Sequence, residues 1–118
     1  MNQILEKSFD FSIRAVELIK YLDEEKKAFP LYERFLACAT AIGITQRLLL
    51  SAGKQTVKDS TKAFSYVVEA EYLLEIMAKT GYLTEKQSQP IIDDCRSLKA
   101  LITERANEMK PPAAPSSR

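Results

Sequence analysis

The fold class follows from one segment, Ala63-Phe-Ser-Tyr-Val-Val-Glu-Ala-Glu-Tyr-Leu-Leu-Glu-Ile-Met-Ala-Lys-Thr-Gly81. Its apolar residues recur at spacings of three and four, which is the repeat of an α-helix. Thr56 and Asp59 are both acceptable N-caps for this helix. Gly81 can take the left-handed conformation that closes a helix. We therefore predict a helix that begins near Thr56 or Asp59 and ends before Gly81.

The segment upstream predicts another helix, with Pro30 in its first turn and Gly53 as its C-terminal stop. Its apolar positions run from Phe35 to Leu49. The residues in its middle are small, so a neighbouring helix can approach closely. These small residues are Ala37, Ala39, Ala41 and Gly43.

The N-terminal segment carries two apolar stripes at helical spacing. The first stripe is Leu5, Phe9, Ser12, Val16 and Ile19; the second is Phe11, Ala15, Leu18 and Leu22. A surface helix of a globular protein needs only one apolar face. The extra stripe indicates that this helix buries two sides.

The last helical segment begins at Thr84, which forms a predicted capping box with Gln87. Pro90 complicates this start, because a proline inside a helix loses one backbone hydrogen bond and clashes with the preceding turn. Either the first turn is distorted, or the regular helix begins nearer Ser88. A regular stripe then continues through Ile91, Cys95, Leu98, Ile102, Arg105 and Met109.

Four such segments with short links predict an all-α, up-down-up-down four-helix bundle over residues 1–110. The chain has 118 residues, the size of one domain. Residues 111–118, rich in Pro, Ala and Ser, have nothing to bury and are expected to be disordered.

The composition argues against most catalytic chemistry. The chain has no histidine, which removes the commonest general base and the commonest metal ligand. Cys38 and Cys95 lie within helical patterns and outside any metal-binding spacing, so we expect both to be core residues. We therefore expect no catalytic site, no cofactor and no metal.

The N-terminus lacks the apolar core of a signal peptide. No continuous apolar run has the length of a membrane span. These two features predict a cytoplasmic protein without a membrane partner.

Charge is uneven along the chain although the net charge is only +1. Residues 31–62 hold five basic residues against two acidic ones. Lys58 and Lys62 share a helix face near a helix N-terminus, where both mutual repulsion and the helix dipole disfavour cations. Arg47, Lys54, Lys58 and Lys62 form either an ordinary solvated face or a site for a polyanion or acidic protein.

Glu69, Glu71 and Glu75 lie close together on the third predicted helix. They form either an acid–base pair or cation site, or else a solvated acidic stripe or partners for lysines of a neighbouring subunit. We favour the second interpretation, because nothing else in the sequence singles out a carboxylate site.

Taken in order, the segments resemble the four-helix bundle family encoded in intervening sequences of bacterial 23S ribosomal RNA genes. This family is related to the accessory variability protein of diversity-generating retroelements. The resemblance covers residues 8–105. It rests on Ser8-Phe9, Arg14-Ala-Val-Glu-Leu-Ile-Lys-Tyr-Leu22, Ala41-Ile-Gly43, Ser51-Ala-Gly-Lys54, Lys58-Asp-Ser-Thr-Lys62, Glu69-Ala-Glu-Tyr-Leu-Leu-Glu-Ile-Met77 and Gly81-Tyr-Leu-Thr-Glu85. Thr45 and Leu48 stand where the family pattern has Asn and Glu, which marks a divergent member.

The resemblance implies a homopentamer whose bundles pack side by side around a central channel. In the retroelement accessory protein the barrel is basic and engages nucleic acid and a reverse transcriptase. Arg47, Lys54, Lys58 and Lys62 are the positions here that can play that part.

Three hypotheses follow from the sequence. The first is a non-enzymatic homo-oligomeric scaffold, and the second is an accessory factor that binds RNA or DNA. The third, a bundle with a small ligand or an active site, requires a polar pocket.

Overall fold

The computed structural model describes residues 3–52 and 57–109, without the side chains of residues 57, 58 and 109. The helices within these ranges are α1 (Gln3–Glu24), α2 (Tyr32–Ala52), α3 (Val57–Lys79) and α4 (Glu85–Met109). Consecutive helices pack together, and α1 packs against α4, whereas the backbones of the diagonal pairs stay apart over the described residues. The prediction of an all-α four-helix bundle is confirmed. Gly53, Lys54, Thr56 and the predicted tail over residues 111–118 lie outside the described residues.

The core is formed by one apolar stripe from each helix. Its largest fully buried side chains are Phe11 and Leu22 from α1, Phe35 and Ile42 from α2, Val67, Leu74 and Met77 from α3, and Leu98 and Ile102 from α4. Cys38 and Cys95 belong to the same buried cluster. The prediction that both cysteines are core residues is therefore confirmed.

The link between α3 and α4 has the predicted caps. Gly81 has a φ of +89°, which is the left-handed conformation of a C-cap glycine. The Thr84 N–H donates to Gln87 Oε1 at 2.9 Å, and the Gln87 N–H donates to Thr84 Oγ1 at 3.1 Å. These two bonds form a complete capping box.

Pro90 does not delay the start of α4. The helix begins at Glu85 and includes Pro90. The Lys86 carbonyl, which loses its usual donor, belongs to an exposed residue and can be hydrated instead. The alternative that the regular helix begins nearer Ser88 is therefore wrong.

Gln87 has a second role besides capping. Its side-chain Nε2 donates to the Tyr21 hydroxyl of α1 at 3.0 Å. One side chain therefore caps α4 and joins it to the helix that is most distant in sequence.

The helix α2 starts two residues later than predicted. Pro30 and Leu31 form a turn, and the Tyr32 N–H donates to the Phe29 carbonyl at 3.1 Å. Phe29 is buried and packs edge-on against Tyr82, with ring centroids 5.3 Å apart. This aromatic contact fixes the chain before the helix begins.

The small residues of α2 allow α1 to approach closely. A Cβ added to Gly43 would lie 3.5 Å from Ser12 Oγ and 3.5 Å from the Ser8 carbonyl oxygen. The Ser12 hydroxyl donates to the Ala39 carbonyl at 3.3 Å. Close packing at Ala39 and Gly43 is confirmed, whereas Ala37 is exposed.

The two stripes of α1 have different environments. The second stripe enters the core, with Phe11, Ala15 and Leu22 buried. The first stripe lies outside the core on the side of α2, and its Phe9 and Val16 are 47% and 44% exposed. The sequence predicts that α1 buries two sides. Within a single chain it buries one, the side that carries the second stripe.

Among the described residues, α2 has the length and composition of a helix able to cross a membrane, with a mean hydropathy of 1.4. The core helix of a soluble protein passes the same test. Thr40, Thr45, Gln46 and Arg47 interrupt its apolar residues, which is why the sequence shows no continuous run. Here the helix packs between α1 and α3.

Candidate interaction surfaces

The predicted basic residues lie at the end of the bundle where α2 leads to α3. Arg47 is exposed on α2 and Lys62 is exposed on α3. Neither forms an ion pair with any residue that the structure describes. Lys54 and the side chain of Lys58 lie outside the described residues.

Arg47 is held against α1. Its guanidinium carbon lies 4.8 Å from the centre of the Phe9 ring, which is the geometry of a cation–π contact. This contact points Arg47 towards the α1 side of α2, while Lys62 projects from α3. Of the four predicted basic residues, the two whose side chains are described are therefore exposed on different helices.

The acidic residues of α3 do not form a carboxylate cluster. Two of them form ion pairs with basic residues of neighbouring helices. Glu69 accepts from Arg34 of α2 at 2.6 Å, and this hydrogen bond raises the pKa of Arg34. Glu71 is buried and accepts from Lys99 of α4 at 2.5 Å, with Arg96 at 3.4 Å. Glu75 is exposed and has no ion pair among the described residues. Glu69 and Glu71 therefore point to different helices and pair with basic residues of their own chain. The buried Glu71 contradicts a fully solvated stripe, and the pairing with lysines of a neighbouring subunit stays a prediction.

Burial makes the two thiols unreactive. It raises the pKa of Cys38 to about 11, and the nearby Glu69 adds to this rise. Burial also raises the pKa of Cys95, to a larger extent. Because the thiolate is the reactive form, neither cysteine is a nucleophile at neutral pH. The described residues also contain no group of three or more metal-ligating side chains.

Three polar side chains are buried at the end of the core that lies near the link between α2 and α3. These side chains are Ser8 of α1, Gln46 of α2 and Ser60 of α3. The Ser8 hydroxyl donates to the Leu5 carbonyl at 3.1 Å. Gln46 Nε2 has no hydrogen-bond partner among the residues that the structure describes. Sequence patterning missed Gln46, because a polar residue in an apolar helix gives no sign of which way it points.

Two grooves flank α1. The polar groove between α1 and α4 has a volume of about 360 Å³, and an ion pair between Arg14 and Asp94 lies across it. The apolar groove between α1 and α2 has a volume of about 480 Å³. Its lining includes Val16 and Ile19 of α1 and Tyr32 and Leu36 of α2.

Exposed apolar side chains concentrate on α1 and α2, and we call this set the outer face. It consists of Phe9, Ile13, Val16, Ile44 and Leu48. Leu48 is 65% exposed and Ile44 is 57% exposed. Val68 and Tyr72 form a second, smaller exposed pair on α3. The sequence assigned most of these residues to apolar helix faces, and only the fold shows that those faces point outward.

A solved structure from Bacteroides thetaiotaomicron is similar to this chain. It is described as a protein of unknown function from the S23 ribosomal protein family. The two share 28% sequence identity with a TM-score of 0.78, and the match covers 87% of this chain and 97% of the other. The family resemblance is confirmed. No protein-family model and no curated protein matches the sequence.

Proposed function

We propose that the chain is a non-enzymatic, cytoplasmic, homo-oligomeric scaffold of the intervening-sequence type, with the pentamer as its assembled form. The observation that carries this proposal is the outer face. Five large apolar side chains, each more than 40% exposed, lie on two adjacent helices. Large apolar side chains exposed on neighbouring helices are a feature of interaction sites.

The residues around the outer face favour a protein partner over a membrane. Glu17, Lys20, Glu33 and Arg47 lie on the same two helices and are exposed. Charges of both signs at the edge of an apolar centre resemble the polar rim of a protein interface. A helix that inserts flat into a membrane surface instead carries a mostly basic polar side.

Sedimentation equilibrium and light scattering at micromolar concentration test this proposal. The pentamer has five times the chain mass of 13.3 kDa. Its mass should persist in high salt, because burial of apolar surface is little affected by screening of charges. A plain monomer at these concentrations would refute the proposal.

A second candidate function is the binding of RNA or DNA, with a reverse transcriptase as a further partner. It is favoured by the exposed Arg47 and Lys62, which have no acidic partner among the described side chains. A ring would repeat these charges in every subunit, so a chain with a net charge of +1 can still present a strong local field.

Salt-dependent binding of a labelled oligonucleotide tests this second candidate. The triple substitution Lys54→Ala, Lys58→Ala and Lys62→Ala should lower the salt slope by about 2 to 3, since each phosphate contact contributes about 0.7–0.9. The matched control replaces Lys26, Lys27 and Lys86, which lie at the opposite end of the bundle. Equal losses from both triples, or no binding at low salt, would rule out this surface.

A further inference from the structure

The apolar groove between α1 and α2 is open to a partner. Its described lining is mostly hydrophobic, and Val16 and Tyr32 remain 44% and 42% exposed. Lys20 and Asp23 of α1 also line it and are exposed. A concave apolar site with a few charges at its edge fits an aromatic side chain better than it fits a helix backbone.

The exposed pair on α3 forms a ridge that can enter such a groove. Glu69 faces α2 and Glu71 faces α4, as their ion pairs show. Tyr72 lies between these two directions on the helix, so its ring points away from the bundle and is 64% exposed. Val68, 43% exposed, lies one turn before it on the same face.

The groove and the ridge lie at the same height along the bundle. The bond from Ser12 to Ala39 sets the register of α1 against α2, and the pair Arg34–Glu69 sets that of α2 against α3. In these registers Val16 lies level with Leu36, and Leu36 lies within one turn of Val68. Rotation about an axis parallel to the bundle leaves heights unchanged, so the ridge of one copy meets the groove of the next.

The charges beyond the apolar contact also match. Lys20 and Asp23 follow Val16 along α1, and Glu75 and Lys79 follow Tyr72 along α3. Helices α1 and α3 run in the same direction in an up-down-up-down bundle. Lys20 and Asp23 then lie within about one helical turn of Glu75 and Lys79, in the same order of opposite charges, and an axial shift of the ridge by about one turn pairs them. Such complementarity sets the register of an interface.

We infer that Val68 and Tyr72 of one copy dock into the α1–α2 groove of a second copy. This inference rests on the proposed homo-oligomeric function and specifies its interface. The groove and the ridge point in different directions from the bundle axis, so the contact is heterologous. Repeated head to tail, a heterologous contact closes into a ring when its rotation closes, as the proposed pentamer requires.

Two complementary variants test the interface. Val16→Asp damages the groove and keeps the ridge, whereas Tyr72→Asp damages the ridge and keeps the groove. Each variant alone should weaken association by at least about 30-fold, as loss of a central interface contact does. A 1:1 mixture has one intact groove and one intact ridge, so light scattering should show a dimer of the two variants.

The matched control is Ala100→Asp, which adds the same charge to the exposed side of α4. It should leave the oligomer mass unchanged, and circular dichroism should show native helicity for all three variants. An oligomer that survives Tyr72→Asp, or a mixture that stays monomeric, would overturn the docking but not the scaffold function. A monomeric wild-type chain would overturn both.

A charge exchange gives an independent measurement. Lys20→Glu and Glu75→Lys should each weaken association by a few-fold, and the double variant should recover most of the wild-type affinity. Like charges directly opposed across an interface disfavour association. No recovery in the double variant would show that these two side chains do not meet.

Discussion

The helices α2 and α4 lie diagonally across the bundle and bury similar inner stripes. Their solvent-facing sides differ, because that of α2 is largely apolar and that of α4 is highly charged. The solvent-facing side of α2 presents Ala37, Ile44 and Leu48. The charged residues of the whole helix are Glu33, Arg34 and Arg47. The helix α4 is of similar length and is much more highly charged. Its charged residues are Glu85, Lys86, Asp93, Asp94, Arg96, Lys99, Glu104, Arg105 and Glu108.

This difference separates two tasks that a helix can have. The inner stripes supply the core, and either helix does this equally well. The charged side chains on the solvent-facing side of α4 are well solvated by water. The solvent-facing side of α2 leaves apolar surface exposed, at a cost in free energy of about 25 cal/mol per Å². The inner sides of both helices therefore supply the core, and the solvent-facing side of α2 carries the apolar surface on which the proposed assembly depends.

The largest expected effect tests whether the inner stripes are equivalent. Ile42 of α2 and Ile102 of α4 are 0% and 1% exposed. Ile42→Ala and Ile102→Ala should each lower the free energy of unfolding by about 2–5 kcal/mol, because each leaves a cavity. Urea unfolding at one chain concentration measures both. A near-zero loss for either would show that its stripe is not part of the cooperative core.

A smaller effect compares the ion pairs that α2 and α4 make with α3. Lys99→Ala leaves the buried Glu71 with only the more distant Arg96 and should cost about 2 kcal/mol. Arg34→Ala breaks an exposed pair with Glu69 and should cost less than about 1 kcal/mol. Double-mutant cycles with Glu71→Gln and Glu69→Gln isolate the pair energies. Equal coupling energies would contradict the assigned difference in burial.

The two thiols predict a loss of stability at high pH. Because the folded pKa of Cys38 is raised from 9.0 to about 11, the folded state keeps its proton while the unfolded state loses it. Stability is therefore fully present below pH 9 and falls between pH 9 and 11, by about 1 kcal/mol at pH 10. Urea unfolding from pH 8 to 10 should show a smaller fall for Cys38→Ala than for wild type. An unchanged slope would mean that another group causes the fall.

The smallest effect on the free energy of unfolding is expected from substitutions on the solvent-facing sides of α2 and α4. Ile44→Lys on α2 and Ala100→Lys on α4 should each change the free energy of unfolding by less than about 0.5 kcal/mol when compared as monomers. Only Ile44→Lys should weaken self-association, because it places a charge in the apolar outer face. Sedimentation velocity over a concentration series separates the two effects. Equal association for both variants would place Ile44 outside the interface.

Most of the fold could be predicted because its signals are local. Apolar spacing located all four helices, and the capping box of Thr84 and Gln87 and the C-cap at Gly81 set two of their ends. Pro30 and Pro90 were misleading about helix starts, because spacing shows neither the contact of Phe29 with Tyr82 nor that α4 includes Pro90. Local rules give helix type more reliably than helix ends.

The candidate surfaces were harder to predict, because they depend on the register between helices. The sequence placed Glu69 and Glu71 side by side, but only the packed bundle directs one to Arg34 and the other to Lys99. The two stripes of α1 were visible in the sequence, yet spacing could not tell which of them enters the core. The site formed by the basic residues remains a prediction.

The hydrogen bond from Gln87 to Tyr21 has a consequence for the order of folding. It joins the first and last helices, so it forms only after most of the chain has been brought together, and the entropy of closing that long loop opposes it. Contacts between such distant segments slow folding, in contrast to the rapid pairing of neighbouring helices. The capping box of α4 should therefore form late in folding. The amide protons of its first turn should become protected from hydrogen exchange only when the bundle closes.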